Sequence, residues 1–480
     1  MGDAALHDRA AVAERTRVLC GALDALEWIT DGRVARLSQD FNWFSPVLKR
    51  QLEQQRADAV VRPKTEDEIT AVVAACAREL VPITVRGSGT GNYGQCVPLH
   101  GGVILDLSAY NRLLWVKPGV GRAQAGIRLG DMDRQMREDG QELRCVPSTW
   151  RSATLGGLFG GGFGGLGSIN YGPLAARGNV LGVRAISVEP TPRLVELRAP
   201  EALLLHHVYG CNGIVLELEV GLAPAHPWLE AIVCFDAFEP ALAFADALAG
   251  APGVVKKGVT LFAQPIPDLL LQAVPLLAGS LQSASHAVFT LVAEFAEDAL
   301  QQLVQQHGGR VTLRRTAAEV QKAQRTITEY TWNHTTLHAM KADKSLTYTQ
   351  CAFQAGRHTQ QATQMRAHFG DEVHTHLEWI RNLEGALTCS GLQLIRYAGD
   401  ERLAAVQQTY REHGVSIANP HVYIVEDGKQ GRVNPEIVAM KQRFDPLGLL
   451  NPGKLRGWEQ RHQLALPATE RPALDTLPRF

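Results

Sequence analysis

Two sets of residues in this chain have the types and spacing for chemistry. The first is the run PITVRGSGTGNYG from Pro82 to Gly94, which places Gly87, Gly89, Gly91 and Gly94 among Ser88, Thr90 and Asn92, behind a strand-like ITV. Glycine lets a ligand approach the main chain closely. Successive backbone N–H groups in such a loop form a concave anion site suited to phosphate. The second set is three histidine-bearing clusters far downstream. In WNHTTLHAMK, His334 and His338 stand four apart, so they share a helix face. In HTHLE, strand alternation puts His374, His376 and Glu378 on one face. In NPHVYIVE the same alternation groups His421, Tyr423 and Val425. A histidine can take a proton near neutral pH, and Lys341, Arg381 or Arg396 can hold an anion. The candidates for a reacting site are therefore His334 or His376 as base, Lys341 or Arg381 as anion holder, and Tyr423 as an orienting donor. For each, the plain alternative is a polar residue on a solvated surface.

The elements around the glycine loop decide which phosphate it suits. Gly89 to Gly94 spells G-x-G-x-x-G, the dinucleotide fingerprint of Rossmann domains, but that fingerprint needs a helix opening on the glycines. Here QCVPLHGGVILDL follows, and Pro98 with the Gly101-Gly102 pair leaves no room for one before the next strand. A nicotinamide site is thus disfavoured. A ligand-free glycine hairpin is disfavoured too, because such a loop loses much backbone entropy for no packing return. Upstream, residues 8–54 read as helical, followed by an extended ADAVVRP. Thr65 with Glu68 three residues on reads as a capping box opening a helix whose buried face is Ile69, Val72, Val73 and Cys76. Downstream, the glycine-rich block 145–222 holds two strands, Val180–Val188 and Gly213–Val220. From Ala231, strands alternate with Ala/Leu/Gln-rich helices, the pattern of a helix-covered sheet. The strands DEVHTHLEWI and HVYIVE, the helix NPEIVAMKQRF and a Pro-rich, loosely packed tail complete the chain.

At 480 residues the chain exceeds one ordinary core, so two or three domains are expected. A net charge of -1 gives no electrostatic case for nucleic acid or an anionic membrane surface. The eight cysteines form no CxxC pair or zinc-finger spacing and read as buried thiols of a reduced, cytoplasmic compartment. No apolar run reaches the ~18 residues of a membrane span, the N-terminus lacks a secretory core, and Leu6 stands where myristoylation needs Ser or Thr.

RGSGTGNYG resembles the pyrophosphate loop of the vanillyl-alcohol oxidase / p-cresol methylhydroxylase (PCMH-type) family of FAD-binding proteins. Three further blocks are similar to that family in order and spacing. ADAVVRPKTEDEITAVVAACARELVPITVRG resembles its opening strand–helix–strand, PSTWRSATLGGLFGGGFGGLGSINYGPLAARGNVLGV its second flavin-contacting segment, and RFDPLGLLNPGKL its C-terminal signature. Within the family the likeness is greatest to the D-lactate dehydrogenase and glycolate oxidase flavin-subunit branch. The resemblance implies an α+β fold. A two-subdomain FAD-binding domain spans 53–226, preceded by a helical segment over 1–52. It is followed by a substrate cap with a helix-covered antiparallel sheet over 227–440, and by a segment over 441–480 that returns to the cofactor.

It also implies site residues. Arg86, Gly87, Ser88, Gly89, Thr90, Gly91, Asn92, Tyr93 and Gly94 would hold the FAD diphosphate. Pro147, Ser148, Thr149, Thr154, Gly156 and Gly157 would line the ring and diphosphate. Ser168, Tyr171 and Gly172 would meet the ribityl and adenosine side, and Ile214 and Val215 the adenine. Asn451 and Lys454 would approach from the C-terminal end, with Lys454 a candidate cation for the reduced ring. Relatives that attach FAD twice carry a histidine in the first loop and a cysteine near the position of Trp150. Neither is present, and Cys145 lies too far upstream, so FAD is expected to be non-covalent. The HTHLE cluster offers donors for a divalent metal as an alternative reading, but the D-2-hydroxyacid relatives that bind one use a glycine-rich histidine motif that this chain lacks, so no metal is expected.

The implied activity is oxidation of a small hydroxy acid or alcohol, with oxygen or a redox partner as electron acceptor and a homodimer as one possible assembly. Two alternatives are a non-redox transferase of the alkyl-glycerone-phosphate synthase type and a flavin subunit that passes electrons inside a complex. The transferase needs a phosphate pocket, for which Lys256-Lys257 and Arg314-Arg315 are the candidates.

Overall fold

The computed structural model describes residues 8–467, so the tail beyond 467 and the positions before 8, Leu6 among them, lie outside the described residues. Three sheets carry the fold. The first has four strands in the order Trp28–Ile29, Ala59–Val61, Val103–Asp106, Ile83–Arg86. Its last three strands run parallel, and Trp28–Ile29 pairs antiparallel at the edge. Helix Glu66–Arg78 crosses between two of them and buries Ile69, Val72, Val73 and Cys76. Thr65 caps it by accepting from Glu68 N at 3.2 Å. Glu68 reaches past Thr65 to accept from Lys64 N at 2.5 Å, so the expected box is shifted by one residue. The expected helical segment 8–54 is broken: helix Arg9–Ala22 gives way to the edge strand, then to short helical turns ending in Pro46–Leu52.

The second sheet has six antiparallel strands, among them Val180–Ile186 and Ile214–Pro224. It shares one core with the first sheet, from Val61 and Ile83 to Val183 and Leu218. The third sheet, the cap, has nine antiparallel strands from Trp228–Phe235 to Ser416–Ala418. Both of its faces are covered, so its strands read as near-continuous apolar runs rather than clean alternations. In Trp228–Phe235, Leu229, Ala231 and Val233 join the core under helices Phe238–Gly250 and His358–Phe369. Ile232 and Cys234 face the opposite core, which contains Ala339 of helix Asn333–Ala342, Tyr348 and Phe44.

The chain passes from the second sheet to the third between Pro224 and Trp228. It leaves the cap sheet after Ala418, and residues from Val425 on pack against Val208, Tyr209 and Cys211. HVYIVE, expected as a strand, is instead a series of turns. Its histidine explains this: His421 is drawn inward, its Nδ1 accepting from Ser45 Oγ at 2.8 Å and its Nε2–H donating to Tyr348 O at 2.7 Å. Among the described residues no helix is long and apolar enough to cross a membrane.

Candidate functional site

Strand Ile83–Arg86 ends in the glycine loop, and no helix follows before Val103. The loop forms one wall of a cavity between the first two sheets and the cap, and every residue from Arg86 to Tyr93 lines it. Among the described residues, none of the backbone N–H groups from Ser88 to Cys96 donates to a protein acceptor. The loop is held instead through its carbonyls and side chains. Phe41 N donates to Gly91 O at 2.8 Å, Ser88 Oγ donates to Ser152 O, and Asn92 Nδ2 donates to Tyr348 Oη at 2.8 Å. The amides are thus left for an anion, the donor set a diphosphate requires.

Behind the loop lies a buried group of charges. Arg86 Nη1 donates to Gln39 O at 2.9 Å and to Cys96 Sγ at 3.2 Å. Lys454 Nζ, fully buried, donates to Gly94 O. Burial pulls the Lys454 ammonium down to about 8, against the opposing pull of Asp40. Burial likewise raises the Asp40 carboxyl, against Lys454 and the hydrogen bonds from Asn42. Two cations against one acid leave this side of the loop electropositive, which favours a bound anion.

The second wall is the glycine helix Leu155–Gly161, which turns Leu155, Leu158 and Phe159 into the core and Gly156, Gly157 and Gly160 toward the cavity. Its N-cap is Thr154, whose Oγ1 accepts from Gly157 N at 3.2 Å. The glycines differ in kind. A Cβ at Gly156 would fall 2.7 Å from Ala125 Cβ and 3.0 Å from Ala125 O, atoms fixed by the backbone, so the protein itself requires glycine there. A Cβ at Gly160 would meet nothing nearer than Gly210 N at 4.0 Å, so only an occupant of the cavity requires it. Free amides on one wall and an unobstructed glycine face on the other fit a flat ring joined to a diphosphate.

Of the other residues expected to hold the cofactor, Pro147, Ser148, Thr149, Ile214 and Val215 line the cavity with Thr154, Gly156 and Gly157. Gly94, Ser168, Tyr171, Gly172, Asn451 and Lys454 do not. Ser168–Tyr171 is a short helix packed against cap strands Lys256–Phe262 and His376–Arg381. Its Ser168 Oγ accepts from Gly165 N at 3.1 Å, Tyr171 stacks with Arg144, and Gly172 follows as its C-cap. Asn451 is a brace, donating from Nδ2 to Gln95 O at 2.9 Å and Tyr209 O at 2.7 Å. The NPGK turn therefore supports the glycine loop from behind. Cys145 is a buried thiol, pushed up to about 11 by burial, 3.6 Å from Ser168 Oγ and outside the cavity.

The cap wall comes from helix Asn333–Ala342 and two strands: Trp332, Asn333, His334 and Leu337, then Gln350, then Ser390 and Leu392. His334 is the candidate base that the structure places here. Its Nδ1–H donates to Glu329 O at 3.1 Å, which leaves Nε2 as the proton acceptor. Burial lowers its pKa below the ordinary 6.5, so the ring is neutral at neutral pH.

The other expected groups lie elsewhere, each for a visible reason. His376 is fully buried in the cap sheet against Phe262, and its Nε2–H donates to Glu378 Oε1 at 2.9 Å. Lys341 lies two turns along the helix and is exposed. Arg381 closes its own hairpin by donating to Gly385 O at 2.7 Å. Arg396 pairs with Asp343 at 3.1 Å. Tyr423 sits under Gly94 and the Lys454 ammonium. Among the described residues no three metal-type side chains converge, the HTHLE cluster included.

Two features went unread in the sequence. Tyr93 Oη donates to Gln350 Oε1 at 2.7 Å, tying the loop to the cap. Trp332, just before the His334 helix, has φ +52°, and its N–H donates to Glu378 Oε1 at 2.7 Å. The only sequence signal for either was an aromatic residue beside a polar one.

Residues 57–196 match the FAD binding domain family. An uncharacterized FAD-linked oxidoreductase of Mycobacterium tuberculosis (strain H37Rv) is 27% identical over 45% of this chain and 46% of its own length. Glycolate oxidase subunit GlcD of Escherichia coli (strain K12) is 30% identical over 42% and 41%, and D-lactate dehydrogenase of Anaerostipes hadrus 29% over 35% and 37%. These matches span less than half the length of those relatives. A solved alkyldihydroxyacetonephosphate synthase superposes over 92% of this chain and 86% of its own, with TM-score 0.66 and 14% identity, a likeness of fold alone. With the amide-lined loop, the open glycine face and the match of residues 57–196, the chain carries an FAD-binding domain, and its cofactor is FAD.

Proposed function

We propose that this chain oxidises a CH–OH group of a small hydroxy acid or alcohol. FAD held by the glycine loop supplies the acceptor for the hydride, at flavin N5. The observation that carries the reading is His334: a neutral imidazole on the cap wall, fixed through Nδ1 with Nε2 free to take the hydroxyl proton. Asn333 and Gln350 beside it can orient the hydroxyl, and Trp332 and Leu337 exclude water from it. The glycolate oxidase subunit and D-lactate dehydrogenase among the relatives, both named for hydroxy-acid oxidation, support the reaction class.

The basic residues that the transferase alternative would use as phosphate holders have other partners. Lys257 pairs with Glu142 at 2.7 Å, Arg314 with Glu297 at 2.7 Å and Arg315 with Glu230 at 2.6 Å. Lys256 donates to Ala251 O at 2.5 Å, and none of the four lines the cavity. A base on the cap wall also favours a substrate of the chain's own over a subunit that only relays electrons.

The test is anaerobic reduction of the flavin by a panel of hydroxy acids and alcohols, for wild type and His334→Gln. Bleaching in wild type that slows by about 10²–10⁴-fold in the variant, at equal FAD content, is the expected result. No bleaching across the panel, or equal rates in both proteins, refutes the reading. Aerating the reduced protein then separates oxidase from dehydrogenase.

A further inference from the structure

Among the described residues the cap wall has polar groups but no cation. Its polar members are Asn333, His334, Gln350 and Ser390, and its apolar members are Trp332, Leu337 and Leu392. Phe41 and Phe44 extend the apolar part from the N-terminal segment. His334, neutral at neutral pH, is the one titratable side chain that the cap contributes among the described residues. Arg86 is the one Arg or Lys that lines the cavity among the described residues. It belongs to the loop wall, where it is 8% exposed and donates to Gln39 O, Cys96 Sγ and Ser88 O. Arg151, which follows the Pro147–Thr149 segment, pairs with Glu329 at 2.7 Å and donates to Gln324 O at 3.3 Å.

A carboxylate brought to this wall would lose its water without gaining a cation. The effective penalty for such a burial is several kcal/mol, which corresponds to at least ~100-fold in affinity. A hydroxyl needs only the acceptor at His334 and an amide donor. Gln350 has one available, since Tyr93 occupies its Oε1 and leaves Nε2.

We infer that the substrate is an uncharged primary or secondary alcohol with an apolar body, and not a 2-hydroxy acid. This rests on the oxidoreductase reading above and narrows it. In the reaction the C–H bond breaks, its two electrons and hydrogen pass as hydride to flavin N5, and the hydroxyl proton passes to His334 Nε2. The product is the neutral aldehyde or ketone, and FAD is the oxidant.

The test compares molecules that differ only in charge, on the full-length FAD-loaded protein. 1-Phenylethanol and mandelate share one apolar body, as do the non-reacting pair benzamide and benzoate. The expected result is anaerobic bleaching by 1-phenylethanol at a rate at least ~100-fold above mandelate. Benzamide should also perturb the flavin spectrum at concentrations at least ~100-fold below benzoate. Ser390→Lys, which puts an ammonium on the wall, should narrow both gaps.

Preferential bleaching by mandelate overturns the inference and leaves the oxidoreductase reading standing. Benzamide binding in preference to benzoate with no bleaching by either alcohol supports the uncharged pocket and counts against redox chemistry. Equal binding of benzamide and benzoate, binding of neither, or no response to Ser390→Lys overturns the inference.

Discussion

Glu378 is expected to control the geometry of His334 without touching the cavity. Its carboxyl is 1% exposed and takes three donors: Thr260 Oγ1 on Oε2 at 2.5 Å, and Trp332 N and His376 Nε2 on Oε1 at 2.7 and 2.9 Å. The Trp332 bond falls on a bulky residue at φ +52°, a conformation that costs about 1–3 kcal/mol and persists only when its surroundings hold it. Glu378→Gln can keep all three contacts. Its amide oxygen accepts from Trp332 and His376, and its NH₂ donates to Thr260, whose hydroxyl rotates to accept. Glu378→Leu leaves three buried donors unpaired, each at about 1–3 kcal/mol, for a loss of about 3–9 kcal/mol. It also frees the Trp332 turn to relax, which moves Asn333 and His334, and a misplacement of that size can lower a rate by about 10²-fold.

Denaturant unfolding and anaerobic flavin reduction on both variants test this. Glu378→Gln should fall within about 1 kcal/mol of wild type and reduce at a similar rate. Glu378→Leu should be destabilised and slow, with FAD affinity unchanged, since no residue of the loop wall moves. If Glu378→Leu reduces its flavin at the wild-type rate, Glu378 does not position the Trp332–His334 turn. If Glu378→Gln is as impaired as Glu378→Leu, charge and not hydrogen-bond geometry is what matters there.

Four further outcomes follow from the same contacts. Gly160→Leu should abolish FAD binding while the apo-protein melts near the wild-type temperature, whereas Gly156→Ala, which strikes Ala125, should lower the melting temperature itself. The rate of flavin reduction should rise with pH to a plateau, because the base works only when unprotonated, and the midpoint should lie below pH 6.5, since burial lowers the His334 pKa; a midpoint above 6.5 would sink that assignment. Lys454→Met strands Gly94 O, a loss of about 1–3 kcal/mol, and should raise the dissociation constant of FAD by about 5–150-fold in fluorescence titration. His421 is held neutral with its pKa pulled from 6.5 to about 4 by burial, so the unfolded chain binds the extra proton between those values. Stability should therefore be unaffected above pH 6.5 and fall toward pH 4, by about 3 kcal/mol from this residue, and His421→Gln should flatten that slope in urea titrations.

The two halves of the site differ in how far their sequence reveals them, and the reason is physical. The cofactor wall is made of backbone. A loop that must offer its own N–H groups can be built only from residues that let the chain bend and a ligand approach, so RGSGTGNYG and LGGLFGG show the site in their composition. The lack of room for a helix after Gly94 was equally legible, because Pro98 and two glycines forbid one locally. The cap wall is made of side chains brought together by sheet register, and register is set by pairings distant in sequence. Gln350 and Ser390 reach the cavity because their strands pair antiparallel, Gln350 opposite Leu392 and Ala352 opposite Ser390. No local spacing encodes that.

His334 and His376 looked equivalent as sequence. What separates them is the second covered face of the cap sheet, which swallows His376 and leaves its partner Glu378 to hold the turn that carries His334. The same reasoning explains the basic residues. Lys341, Arg381 and Arg396 were chosen by type, yet one points to water and two satisfy local partners. NPGK was expected to approach the cofactor, whereas Asn451 and Lys454 bond to carbonyls behind the glycine loop; a buried lysine that braces a carbonyl and one that faces a ring have the same sequence. Residue type thus says what a position could do, and only the wall on which it stands says whether it does so.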